Sequence, residues 1–196
     1  MTCRRGLFIL FEGLDGTGKT THAKLLTEFL NQKTPTKYIN FPNRSLPSGV
    51  LINKYLKKEI DLSDEEIHKL FSLNRREYEP EIIRDLNSGI TLVCDRYIYS
   101  GVAYSAAKGL DFHWCQSTDA GLILPDIIVF LYTTSNITTM DWKTERYETV
   151  LFQEKVYEQY QKMITGDWIQ IDTSKTIDQV QQEVVFAIEE RIRSIS

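Results

Sequence analysis

Gly13-Leu-Asp-Gly-Thr-Gly18-Lys19-Thr20 lies between an apolar run, Leu7 to Phe11, and a helical pattern carried by Ala23, Leu26 and Leu30. That is the spacing of a phosphate-binding loop in the setting its physics requires, after a buried strand and before a helix. Gly13, Gly16 and Gly18 let the chain curl so that successive amides point at phosphate oxygens, and the helix N-terminus adds partial positive charge. Lys19 can reach the β and γ phosphates and the Thr20 hydroxyl can ligate magnesium, with Thr21 next in the helix start. A glycine-rich turn without a ligand needs none of this spacing.

Two further unalternating β-rich runs, Ile90 to Cys94 and Ile127 to Leu131, read as strands buried on both faces of a parallel sheet. Lys37 to Phe41 and Trp168 to Ile171 are weaker candidates. Helical spacing joins Ile67, Leu70, Phe71, Tyr78, Ile82 and Leu86 behind a capping-box pattern from Ser63 to Glu66. It returns in Phe152, Val156, Tyr160 and Met163, and again from Ile177 to Ile195. Strands alternating with helices imply right-handed crossovers and a parallel α/β sheet with its ligand beyond the carboxyl ends of the strands. A length of 196 residues suits a single domain over the whole chain, and the Thr-rich stretch from Thr133 to Thr144 reads as a loop.

Charge limits the partners. Lys and Arg number 23 against 27 Asp and Glu, a formal net charge of -4, whereas polyanion binders need a dominant basic face. No nucleic-acid surface is expected, and a phosphate ligand must be met by a local cluster. Cys3, Cys94 and Cys115 are odd in number and widely spaced, which argues against a disulfide framework or a zinc site and fits a reducing compartment. The apolar runs fall far short of the ~20 residues that cross a bilayer, and no signal-peptide pattern opens the chain. No membrane association is expected, and cytoplasm or nucleus is the expected location. His22, His68 and His113 share no ligand spacing and read as ordinary polar positions.

Asp15 stands inside the phosphate loop, where a carboxylate near triphosphate must answer a cation or a hydroxyl unless it serves only as an Asx turn. Asp95-Arg96-Tyr97 follows the Ile90 strand. Asp95 can hold magnesium, directly or through water, and Arg96 can grip a second phosphate, or the two can form a structural ion pair. Phe71 and Arg75, one helical turn apart, can stack on a base and hydrogen-bond its carbonyl edge, although a core Phe and a surface Arg would look the same. Phe41-Pro42-Asn43-Arg44 after the second strand completes a cluster of Arg44, Arg75 and Arg96.

Taken together these segments resemble the thymidylate kinase family, which passes the γ-phosphoryl group of ATP to dTMP, in its eukaryotic and viral branch. Phe-Glu-Gly-Leu-Asp at 11 to 15, Phe-Pro-Asn-Arg at 41 to 44, Leu-Phe-Ser-Leu-Asn-Arg at 70 to 75, Asp-Arg-Tyr with Ser-Gly-Val-Ala-Tyr at 95 to 104, Leu-Pro-Asp at 124 to 126, and Glu-Arg-Tyr-Glu at 145 to 148 followed by Phe-Gln at 152 and 153 occur in the family's order. The resemblance implies a P-loop nucleoside-monophosphate kinase with a five-stranded parallel sheet, a short lid over about 133–144, magnesium with ATP, and a homodimer. It implies that Phe71 stacks on thymine, Arg75 bonds its carbonyl edge, Arg44 and Arg96 hold the dTMP phosphate, and Asp15 lies near the sugar 3′-hydroxyl. Phe41, Ser100, Gly101, Tyr104, Tyr147 and Gln153 belong to the acceptor pocket in the same reading, with Tyr104 in the loop that follows Asp95.

This branch of the family usually carries a basic residue just after the loop Asp, where this chain has Gly16, as in the bacterial branch with its lid arginine. Lys143 and Arg146 are the basic candidates near the lid, and Arg146 is the expected source of transition-state charge beside Asp15, Lys19 and Arg96. The competing readings are a kinase for another nucleotide or nucleoside, a GTPase-type switch, and a nucleotide-binding module without catalysis. A switch would want the N-K-x-D guanine-reading pattern, which this sequence lacks, and has no use for three spaced arginines.

Overall fold

The computed structural model describes residues 5–133, 147 and 149–195. The described elements are β1 (Phe8–Gly13), α1 (Lys19–Asn31), β2 (Thr36–Asn40), α2 (Pro47–Leu56), α3 (Asp64–Asn87), β3 (Thr91–Asp95), α4 (Ile98–Ala106), α5 (Phe112–Ser117), β4 (Ile127–Tyr132), α6 (Val150–Gln161), β5 (Ile169–Asp172) and α7 (Ile177–Ile195). The five strands are parallel, in the order β2-β3-β1-β4-β5. The lid expected over 133–144 lies outside the described residues apart from Thr133, as do Lys143 and Arg146.

β1 and β3 are buried at every position, because the pleat sends alternate side chains into two separate cores. Ile9, Phe11, Val93, Val129 and Leu131 pack with Leu26 of α1 and Val184 and Ile188 of α7. Phe8, Leu10, Leu92 and Cys94 pack on the opposite face with Ile82 and Leu86 of α3. Both faces being covered, the sheet leaves its strand ends for chemistry. Ser63 and Glu66 form the expected capping box at the start of α3, and three acidic residues fill its first turn.

α2, α4 and α5 were not legible as helices. α2 opens on Pro47 and carries Gly49, where a Cβ would lie 1.9 Å from the Asn43 carbonyl oxygen, so a poor helix former is retained for a close approach. Tyr104 belongs to α4, not to a loop after Asp95: Ile98 to Ala106 forms a helix that is buried on one side by Val102 and Ala103. Among the described residues, no helix is long and apolar enough to cross a membrane.

Candidate active site

Three segments meet at the carboxyl end of the sheet: the loop after β1, Phe41 to Arg44 after β2, and Asp95-Arg96 after β3. Gly13, Gly16 and Gly18 take φ of 141°, 74° and 78°. At Gly13 a Cβ would lie 2.1 Å from the Leu131 carbonyl oxygen, which excludes a side chain, and at Gly18 the left-handed backbone favours glycine, with a Cβ there crowding the His22 ring at 3.2 Å. α1 begins at Lys19 with no side-chain cap, leaving its first amides to an anion. The buried Lys19 ammonium donates to the Leu14 carbonyl and lies 3.5 Å from the Thr17 hydroxyl. Burial, and after it the Arg96 guanidinium, lowers its pKa from 10.5 to about 8.

Asp95 and Arg96 turn apart instead of pairing. The Asp95 carboxylate accepts from the Thr20 hydroxyl and, at 3.3 Å, from the Tyr38 hydroxyl. A hydroxyl and a carboxylate in contact are hard oxygen ligands, a donor set that fits magnesium shared with nucleotide phosphates.

Arg96 has φ 68°, a left-handed conformation costing a non-glycine residue roughly 1–2 kcal/mol. Glu12 of β1 holds the chain there. Its buried carboxylate accepts the amides of Tyr97 and Ser100 at 3.0 and 3.1 Å and the hydroxyls of Ser100 and Tyr160 at 2.5 and 2.7 Å. The strand thus caps α4, and the bend ahead of the helix aims Arg96 back at the phosphate loop. There its guanidinium donates to Asp15, to the Gly13 carbonyl at 3.2 Å and to the Ser100 hydroxyl at 3.1 Å. The Asp15 carboxylate therefore answers a cation, as a carboxylate in a phosphate loop must.

Beside this ion pair opens a cavity of about 210 Å³. Asp15, Phe41, Arg44, Phe71, Arg75, Arg96, Ser100, Gly101, Tyr104 and Tyr147 all line it, and Pro42, Leu56, Tyr97 and Ser105 complete it. The three spaced arginines converge on one space in an acidic protein. Arg75 is buried and held bidentately by Asp119, Nε to Oδ1 at 3.1 Å and Nη2 to Oδ2 at 2.7 Å. Gly101 is obligatory for that pose, because a Cβ there would stand 2.7 Å from Arg75 Nη2. Arg44 is exposed, with Nη1 2.7 Å from Asn53 Oδ1. Arg96 lies 5.2 Å above the centre of the Tyr104 ring, which in turn meets Tyr147 edge-on.

A family model described as thymidylate kinase matches residues 11–184. The chain belongs to the thymidylate kinase family. It is 42% identical to the thymidylate kinase of Dictyostelium discoideum, over 98% of this chain and 89% of the relative. Identity to that of Plasmodium falciparum is 46%, over 93% of this chain and 89% of the relative. A solved structure of thymidylate kinase from Candida albicans superposes with a TM-score of 0.87 at 38% identity, covering 95% of this chain and 92% of that one.

One position expected in the pocket from the resemblance, Gln153, is not among the residues that line the cavity. It is fully buried, with its amide turned to the loop. Its Oε1 accepts the Asp15 backbone amide at 3.0 Å, and its Nε2 donates to the Asp15 carboxylate at 2.8 Å and the Tyr147 carbonyl at 3.1 Å. It holds Asp15 from α6, which packs on α4. His22 and His68 are likewise not ordinary polar positions; both are buried, His22 against Gln181 at 2.8 Å and His68 between α4 and α5. Glu12, Asp119 and Tyr38 are the residues that sequence reasoning missed. For Glu12 a signal existed, a carboxylate ending an otherwise apolar strand; for Asp119, outside any periodic pattern, there was none.

Proposed function

We propose that this chain transfers the γ-phosphoryl group of ATP to dTMP, with ATP on the phosphate loop and dTMP in the cavity between α3 and α4. The observation that carries the reading is the cavity itself. It is lined both by an aromatic ring and a fixed guanidinium, Phe71 and Arg75, and by the Arg96–Asp15 pair, whose carboxylate belongs to the phosphate loop. A nucleotide lying between them has its base read by the first pair and its phosphate delivered to the donor. The acceptor phosphate oxygen attacks the γ phosphorus, the bond to the β–γ bridging oxygen breaks, and ADP leaves. No covalent intermediate is needed, so the protein's task is positioning and charge neutralisation. Lys19 and the loop amides steady the donor, Arg96 and Arg44 hold the acceptor phosphate, and Asp15 orients the sugar and Arg96. Thr20 and Asp95 would hold magnesium, which when bound supplies further positive charge to the phosphates.

Arg146 remains the proposed source of lid charge, on the resemblance alone, and a homodimer is proposed on the same ground. The two described cysteines, Cys94 and Cys115, are free and buried, which suits the proposed cytoplasmic or nuclear location. A coupled assay of ADP formation with and without dTMP separates the competing readings. A kinase depends on the acceptor, a switch hydrolyses slowly without one, and a binding module forms no ADP.

Two consequences follow at single residues. Gly101→Ala pushes the Arg75 guanidinium out of its pose, so KM for dTMP should rise at least ~10-fold, while KM for ATP stays within ~2-fold, as expected when one charged hydrogen bond is misplaced. Lys19 titrates near 8 in the free protein, so ATP affinity should be flat below pH 7 and about tenfold weaker by pH 9, where some nine-tenths of the lysines have lost the proton that the phosphates demand. The contribution of Lys19 to the stability of the ligand-free fold should move the other way: the unfolded chain holds this proton between about 8 and 10.5 and the folded chain does not, so the contribution grows as pH rises through that window. The buried thiols of Cys94 and Cys115, whose pKa burial raises, act in the opposite sense, so the Lys19 contribution is read as the difference in melting between the wild type and Lys19→Met. Calorimetric titration of ATP and these paired melts over pH 7 to 10 read both.

A further inference from the structure

His68 is fully buried and contacts no expected ligand, yet its ring joins α3 to the cavity wall. Nδ1 lies 2.7 Å from the Ser105 hydroxyl, and Ser105 lines the cavity. On the other side Nε2 lies 2.8 Å from the Thr118 hydroxyl and 3.2 Å from the Cys115 carbonyl oxygen. Thr118 gives its own proton to that carbonyl, at 2.9 Å. The proton positions follow from this circuit. A carbonyl only accepts, so Thr118 spends its hydrogen there and must accept from Nε2–H. The opposite tautomer would turn Thr118 toward the ring and set the bare Nε2 lone pair 3.2 Å from the carbonyl lone pairs in a buried place. Burial, and after it the Arg75 guanidinium, lowers the His68 pKa, which keeps the ring neutral with one nitrogen free to accept. With Nε2 protonated, Nδ1 accepts the Ser105 hydrogen. Ser105 is then left with only lone pairs to offer the cavity.

Ser105 follows Gly101 by one turn of α4, and the Arg75 guanidinium rests against Gly101. A donor that cannot accept thus stands next to an acceptor that is kept from donating. Both are set by one dipeptide after α5: Thr118 through His68, and Asp119 by its bidentate grip on Arg75. We propose that His68 is a positioning residue for base recognition, fixing Ser105 as the acceptor beside the Arg75 donor so that the cavity matches a pyrimidine bearing a 4-carbonyl and an N3–H. Cytosine presents the reverse pair, an amino group and a bare N3, and meets a donor with a donor and a lone pair with a lone pair. The inference rests on the reading of this cavity as a nucleotide acceptor site.

The test measures kcat/KM for dTMP, dUMP and dCMP in the wild type, Ser105→Ala, Ser105→Thr and His68→Phe. Thymine and uracil share the edge that Arg75 and Ser105 read. Ser105→Ala should therefore lower the dTMP/dCMP preference at least ~10-fold and leave dTMP/dUMP within ~2-fold, the signature of a lost hydrogen-bond reader and not of a loosened fold. Ser105→Thr should keep both ratios. His68→Phe fills the space but frees the Ser105 hydroxyl to turn its proton toward the base, so the dTMP/dCMP preference should fall although Ser105 is intact. If His68→Phe fails to fold, His68→Leu takes its place, and an unchanged dTMP/dCMP preference in the folded His68 variant would overturn the positioning role, while Ser105→Ala tests the hydroxyl that it positions. Wild-type ADP formation with dTMP and an unchanged dTMP/dCMP ratio in Ser105→Ala would overturn the inference alone. No dTMP-dependent ADP formation in the wild type would overturn the acceptor reading and the inference with it.

Discussion

Lys19→Ala should lower turnover at saturating substrates by at least ~100-fold, the cost of removing one preorganised electrostatic group from a site of developing charge. The side chain is buried within the phosphate loop, where its nearest partners are the Leu14 carbonyl and the Thr17 hydroxyl, neither a countercharge. Holding an ammonium there costs desolvation, as the drop of its pKa to about 8 records, and a triphosphate repays that cost. The variant relieves the ligand-free protein of a buried cation, so its melting temperature should hold or rise even as catalysis collapses. Near-normal turnover with an unchanged melt would mean that the loop is not the donor site.

Arg96→Ala should be as damaging to the acceptor. Its guanidinium reaches Asp15, the Gly13 carbonyl and Ser100 from a strained left-handed backbone, a geometry maintained for a charge beside the donor. Losing two charge-assisted hydrogen bonds to phosphate, at about 1.5–3 kcal/mol each, should reduce kcat/KM for dTMP roughly 100- to 10,000-fold. Arg96→Lys should recover little, since a point charge cannot reproduce the fork that spans loop and phosphate. ATP binding by the Lys19 loop should change far less. Calorimetric titration of both nucleotides into the variant decides it, and equal losses for ATP and dTMP would show that Arg96 merely braces the loop.

The parts of the site readable from the sequence are those whose chemistry is written in local spacing. Gly13 to Thr20 acts through neighbours in the chain, Phe71 and Arg75 share a face by their one-turn spacing although Asp119, which fixes Arg75, lies far along the chain, and runs such as Phe8 to Phe11 and Leu92 to Cys94 show a doubly covered sheet because every residue in them is apolar. α4 was hidden because its N-terminus has no cap of its own. Glu12, more than eighty residues earlier, supplies it from the strand next door. Gln153 kept its family position but not its expected place, because a buried amide facing the Asp15 backbone and one facing a nucleoside look alike in sequence. His68 looked idle for the same reason: its partners, Ser105 and Thr118, come from elements that only the fold brings together.

That the loop and the cavity are two halves of one transfer site is tested by following the phosphoryl group itself. Wild-type protein is incubated with ATP labelled in the γ position and with dTMP, and the label is separated among ATP, inorganic phosphate and nucleoside diphosphate. The label should appear in dTDP in step with ADP, inorganic phosphate should stay at background, and omitting dTMP should stop ADP formation. Label released as inorganic phosphate whether or not dTMP is present, or ADP formed without labelled dTDP, would contradict a single transfer site.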